Sequence, residues 1–377
     1  MLNHGSFGAS PRAVLQRQHE LRCQMEARPV QFLARQMPDL LDASRQRLAE
    51  ILGVDPQDLV FVPNATAGVN SVLRSLRFHG GDEILATMHG YNACSNVARC
   101  VAQQSRATLV IAEIPSPVES PQQIVDAVMA RVSPKTRIAL LDHISSPSAT
   151  VFPLDQLIER LHQQGIETLI DGAHAPGMVP VDLRRIGPTY YTGNCHKWLC
   201  SPRGTGFLYV KRDRQEAILP PVISHGYNRP RLGYSRFQDL FDWPGTSDPT
   251  AWFSVGAAID FLDGILPGGL NALTERNHRY AVAAQSLLVK ELDARPLCPP
   301  EMLGAMAAVE LNNDPDPPTE FVDQHQLNQE LFERFGIEVP VYFFPAAPRV
   351  VLRVSAQAYN EPEHYHRLVE AVRQLWR

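Results

Sequence analysis

The sequence predicts an α/β protein: a large, mostly parallel sheet covered by helices, followed by a smaller α+β domain at the C-terminus. Three observations predict it. Short apolar strands alternate with helices of about ten residues between positions 59 and 210, the rhythm of crossover units that build parallel sheets. After Trp252 the rhythm changes, and longer helices lead into a second group of strands. The 377 residues, 44% of them hydrophobic, also suffice for more than one core.

A Pro- and Gly-punctuated arm, residues 1–11, precedes helical spacing of Leu, Val and Ile over 11–28 and 39–52. An apolar strand at 59–63 leads through Asn64-Ala-Thr-Ala-Gly into the helical run 69–76. Strands follow at 82–87, 108–112, 138–141, 167–170 and 206–210, with helices at 91–104, 121–132 and 154–164 between them. Beyond these, 253–262 and 270–292 read as helices, 305–310, 337–344 and 350–354 as strands, and 361–376 as a last helix. The expected domains are therefore 12–260, large, and 261–377, small. Ligands of parallel sheets bind beyond the carboxyl ends of the strands, so the loops after strands are where chemistry belongs.

Composition excludes several functions. A formal net charge of −5, without runs of like charge, argues against a nucleic-acid surface. No apolar stretch approaches the roughly 18 residues of a membrane span. The first residues lack the basic-then-apolar pattern of a secretory leader, so a cytoplasmic protein without a membrane partner is expected. Six scattered cysteines without a CxxC pair predict buried reduced thiols and no metal.

Only four residues carry a primary amine on the side chain: Lys135, Lys197, Lys211 and Lys290. Three sit in turn-like or charged surroundings, whereas Lys197 lies among aromatic and small residues. An amine there loses charge stabilisation and becomes nucleophilic, the state a Schiff base requires. Asp171 ends a strand and opens Asp-Gly-Ala-His-Ala-Pro-Gly; a carboxylate so placed can hold the proton on the ring nitrogen of pyridoxal 5′-phosphate (PLP). Asn64-Ala-Thr-Ala-Gly, between strand and helix, offers backbone N–H groups and a helix dipole to a phosphate, with the Thr66 hydroxyl beside them. The Walker and dinucleotide fingerprints are missing, since Gly204-Thr-Gly206 precedes a strand. Arg353 interrupts an apolar strand run, which is costly unless a partner is supplied.

Together these segments resemble the class V aminotransferase family of PLP enzymes, fold type I. Asn3-His-Gly-Ser-Phe-Gly, Asp171-Gly-Ala-His-Ala-Pro-Gly and Tyr191-Thr-Gly-Asn-Cys-His-Lys-Trp-Leu resemble its isopenicillin N epimerase-like branch. The resemblance implies that Lys197 binds PLP covalently and shuttles the α-proton of an amino-acid substrate. Asp171 would face the ring nitrogen, His174 the ring hydroxyl, and His89 or Tyr91 the ring face. Ala65, Thr66, Ala67, Asn194 and His196 would line the phosphate site. Gly245 and Thr246, in Trp-Pro-Gly-Thr-Ser-Asp, would reach the phosphate of a neighbouring subunit, implying a homodimer with shared sites. Arg353 would grip the substrate α-carboxylate, with Arg28 and Asn3 touching the rest of the substrate.

Epimerisation, with Lys197 and Tyr91 or His89 as acid/base groups on the two faces of the α-carbon, is the expected reaction. A C–S β-lyase and an aminotransferase are the alternatives, and a non-catalytic binding protein of the same fold is a third. Desulfuration through a nucleophilic cysteine is disfavoured, because positions 335–353 contain none and Cys298 lies well upstream. Ser146 stands where desulfurase-like relatives have asparagine, so reaction type does not transfer from them.

Overall fold

The computed structural model describes residues 1–311 and 324–376. Strands β1 (Leu59–Val62), β2 (Glu83–Thr87), β3 (Thr108–Ala112), β4 (Thr136–Asp142), β5 (Glu167–Gly172), β6 (Tyr190–Asn194) and β7 (Gly206–Val210) form one sheet, ordered β1-β7-β6-β5-β4-β2-β3. Strands β3, β2, β4, β5 and β6 run parallel, and β7 is antiparallel to both of its neighbours. The reversal follows from chain length. Only the short segment 195–205 joins β6 to β7, too little for the crossover that parallel neighbours need.

Alternation along the strands sends side chains to two cores. Leu85, Ala139, Leu141, Ile170, Tyr191 and Phe207 enter one, while Ile84, Ile138, Leu140, Leu169, Tyr190 and Leu208 enter the other. Helix Ala65–Ser75 seats against β6 at Gly68, where an added Cβ would overlap the Thr192 hydroxyl. Thr192 donates that hydroxyl to the Phe207 carbonyl at 2.7 Å, so it has little room to yield.

The second sheet comprises β8 (Arg295–Pro296), β9 (Met306–Glu310), β10 (Val341–Phe343) and β11 (Val350–Ser355), all antiparallel in the order β10-β11-β9-β8. Helices Gly269–Leu292 and Pro362–Leu375 accompany it. Residue 260, the boundary expected from composition, lies inside helix Val255–Asp263, which is tied to helix Met37–Leu52 by Arg47 and Asp260 at 2.7 Å.

The N-terminal arm is structured. Ser355 N–H donates to the Leu2 carbonyl at 2.9 Å, and Leu2 N–H donates to Glu338 at 2.8 Å, so the arm joins the second sheet's edge. A single helical turn, His4–Phe7, follows, and Gly8 (φ +68°) passes so close to the His196 carbonyl that a Cβ would overlap it. Two cysteines, Cys23 and Cys100, are exposed rather than buried as expected; the other four are buried. Among the described residues no helix is long and apolar enough to cross a membrane, and no cluster of His, Cys, Asp or Glu could hold a metal ion.

Candidate active site

The ends of β4, β5 and β6, the start of helix Ala65–Ser75 and the N-terminal arm enclose a cleft of about 320 Å³. Lys197, on the short β6–β7 connection, lines it; the other three lysines are exposed on the surface. Its Nζ lies 3.0 Å from His174 Nε2. Burial, and next the Arg353 charge, bring its pKa down to about 7 against the opposing pull of Asp171. At neutral pH a large share of this amine is therefore unprotonated and nucleophilic.

Asp171 is held at the end of β5 with both oxygens occupied. Oδ1 accepts the Ala173 N–H at 3.0 Å, and Oδ2 accepts the Cys94 thiol at 3.1 Å. Beside it in register, at the end of β4, stands Asp142, likewise buried. Burial first, then the charge of Asp171, push the Asp142 carboxyl well above the usual carboxylate range. Asp142 also receives the backbone N–H of Tyr91, the residue that begins helix Asn92–Ser105.

At the opposite wall the helix start is partly satisfied already. Asn64 Oδ1 accepts Ala67 N–H at 2.9 Å, and Asn194 Oδ1 accepts Ala65 N–H at 2.8 Å. Thr66, between them, lines the cleft with His196 and Arg203. His196 Nδ1 is 2.9 Å from the Thr205 carbonyl, which can only accept, so Nδ1 carries a proton.

Arg353, on β11, is 3% exposed. Nη1 donates to the Ser146 carbonyl at 2.6 Å and its hydroxyl at 3.1 Å, and Nη2 donates to Ser6 Oγ at 3.3 Å. Its Nε has no partner, and no carboxylate pairs with it among the described residues. A buried guanidinium without a counter-ion is costly and suits capture of a carboxylate from outside. It faces a second cavity of about 270 Å³ that shares Tyr91 and Ser146 with the first.

Ala65, Thr66, Tyr91, Asp171, His174, Asn194, His196 and Lys197 thus all line one cleft. Ala67 lies one position further along the helix, its N–H turned to Asn64. His89 and Tyr91 separate: His89 is buried, with Nδ1 2.9 Å from Ser148 Oγ and its ring edge-on to Phe344, whereas Tyr91 lines the cleft. Asn3 stands one step back, accepting the Ser6 hydroxyl at 2.5 Å. Arg28, Gly245 and Thr246 lie off the cleft wall, and Arg28 and Thr246 are exposed. Ser6, Asp142 and Arg203 went unread in the sequence. Asp142 carried a signal all the same, since Leu-Leu-Asp closes β4 as Leu-Ile-Asp closes β5.

A near-neutral amine, a strand-end carboxylate and a helix N-terminus bearing a threonine hydroxyl match the aldehyde, ring nitrogen and phosphate of PLP in chemistry. Over residues 8–337 the chain matches the family model described as Aminotransferase class-V. It is 35% identical to isopenicillin N epimerase of Amycolatopsis lactamdurans, covering 99% of this chain and 94% of that one. It is 29% identical to the probable chloroplastic L-cysteine desulfhydrase of Arabidopsis thaliana, covering 100% and 82%. Among solved structures, a lysine-to-alanine mutant of C-DES with glycine covalently linked to its PLP cofactor superposes with a TM-score of 0.81. At 21% identity over 98% of this chain and 94% of that one, the likeness is one of fold.

Proposed function

The chain belongs to the class-V aminotransferase family, whose cofactor is PLP, and we propose that it acts at the α-carbon of an amino-acid substrate as an isopenicillin N epimerase-like epimerase. The observation that carries this reading is a nearly neutral Lys197 amine in the same cleft as Tyr91, with Arg353 lacking a counter-ion alongside. When bound, PLP supplies an electron sink that stabilises negative charge on the α-carbon.

The residues then divide the work. Asp171 holds a proton on the ring nitrogen, and the rigid bonds from Ala173 and Cys94 fix its two oxygens for that purpose. Thr66, with the helix start that Asn64 and Asn194 order, takes the phosphate, and His196 and Arg203 add positive character. Arg353 binds the substrate carboxylate and orients the α-hydrogen. Lys197 Nζ takes or returns a proton at the α-carbon, and the Tyr91 hydroxyl serves as the second proton carrier. Gly245, Thr246 and Arg28, off the cleft and with Thr246 and Arg28 exposed, serve the site through a second copy of the chain in a homodimer.

β-Elimination is the second reading, favoured by the 29% identity to a desulfhydrase; Tyr91 would protonate the leaving sulfur. Among the described residues no cysteine lines either cavity. Incubating the holoenzyme with candidate L-amino acids in heavy water separates the readings. Deuterium at the α-carbon with loss of optical purity is the expected result. Release of pyruvate and a sulfur species, or dependence on a keto acid, sinks the epimerase assignment.

A further inference from the structure

We propose that Trp198 is a positioning residue whose indole N–H fixes the tautomer of His174, so that this ring donates a hydrogen bond to the Lys197 amine and keeps its lone pair available. Trp198 Nε1 lies 3.3 Å from His174 Nδ1, and His174 Nε2 lies 3.0 Å from Lys197 Nζ. The three groups form one chain along consecutive buried contacts, with Trp198 fully buried and His174 2% exposed.

An indole nitrogen can only donate. His174 Nδ1 must therefore accept, and in a neutral imidazole the proton then resides on Nε2. The opposite tautomer would point two buried N–H groups at each other and leave both unsatisfied, a costly arrangement. The imidazolium is opposed by burial and by the charges of Lys197 and Arg353, which hold His174 well below its ordinary range. With Nε2–H aimed at Nζ, the lysine must accept. An ammonium has no lone pair with which to do so. A protonated Lys197 would need His174 Nε2 as its acceptor, and hence a broken bond to Trp198.

Other groups also act on Lys197. Arg353, from β11, disfavours its charge, while Asp171, from β5, and Cys94, from helix Asn92–Ser105, favour it. His4 reaches the Lys197 carbonyl at 3.0 Å, and His196 is its chain neighbour. None of these touches the indole nitrogen through a hydrogen bond; His4 packs on the indole ring with centroids 5.0 Å apart, and a phenylalanine at 198 keeps an aromatic face for it. The inference concerns the cofactor-free chain and holds whichever reaction the loaded enzyme performs.

Competitive acetylation of the cofactor-free protein by acetic anhydride, read by mass spectrometry across pH, tests it. Lys135, Lys211 and Lys290 are exposed internal references. In Trp198→Phe the Lys197 midpoint is expected to rise by about one pH unit, slowing its labelling near neutral pH about fivefold while the references stay put. A Trp198→Phe protein that melts cooperatively yet keeps the wild-type midpoint overturns the proposal. Should that variant fail to fold, neutron diffraction from wild-type crystals decides: deuterium on His174 Nε2 supports the assignment, and deuterium on Nδ1 refutes it.

Discussion

At the scale of single residues, Lys197 and Arg353 carry opposite kinds of information. Lys197→Ala removes the only lysine among the described residues that line the cleft, so the purified variant should lose the visible absorbance of the wild type and release added PLP on gel filtration. Arg353→Met should lower kcat/KM by about 2–5 kcal/mol, roughly thirtyfold or more, because the carboxylate loses its partner. The same change removes a buried charge that lacks a counter-ion, so Tm is expected to rise or hold rather than fall. A large drop in Tm with unchanged KM would mean that Arg353 is structural. Lys197, Asp171 and Arg353 were legible in the sequence because each is chemically out of place: an amine among aromatics, a carboxylate ending an apolar run, a guanidinium inside a strand. The choice between His89 and Tyr91 was not legible, because two residues so close in a loop can face opposite ways. Only packing against Phe344 and Ser148 puts His89 inside. Bonds that join distant segments, such as Cys94 to Asp171, leave no local trace either.

Among the elements, helix Ala65–Ser75 depends on its contact with β6. Gly68→Ala would force a methyl group into Thr192, whose hydroxyl is already committed to Phe207. A loss of about 1–3 kcal/mol is expected from overpacking. Urea denaturation should report it, together with weaker binding of inorganic phosphate as the helix start shifts. Strand positions were readable from apolar runs, and most boundaries fell within two or three residues of 59–62, 83–87, 108–112 and 206–210. Strand β6 escaped because Tyr-Tyr-Thr-Gly-Asn is short and ends in turn-forming residues. The run 253–262 is helical as expected, in Val255–Asp263, and a separate turn, Thr250–Phe253, precedes it across Ser254. Helix Gln324–Phe335 also escaped; its glutamine-rich surface muted the apolar stripe.

Across the whole molecule, buried histidines set the acid limit. Burial lowers His4, His89 and His143 each to about 4. The unfolded chain, with ordinary histidines near 6.5, binds protons first as the pH falls. Stability from these three residues is therefore complete above about 6.5 and is lost progressively down to about 4, by at most about 1.4 kcal/mol per pH unit for each ring. Denaturation midpoints that stay flat across that window would contradict it. Tyr191→Phe, which removes the hydroxyl 2.8 Å from His143 Nδ1, should leave the slope in place, since burial dominates. The N-terminal arm adds a constraint in time. Its partners, Arg353, Ser355 and Tyr359, lie 347 or more residues further along the chain, so they are synthesised long after it. A nascent polypeptide arrested short of position 353 would display Lys197 with no roof above it and no grip for a carboxylate. Vitamin uptake by stalled ribosome complexes should accordingly switch on only once β11 has cleared the exit tunnel, which makes cofactor loading wait for the arm's distant partner strand.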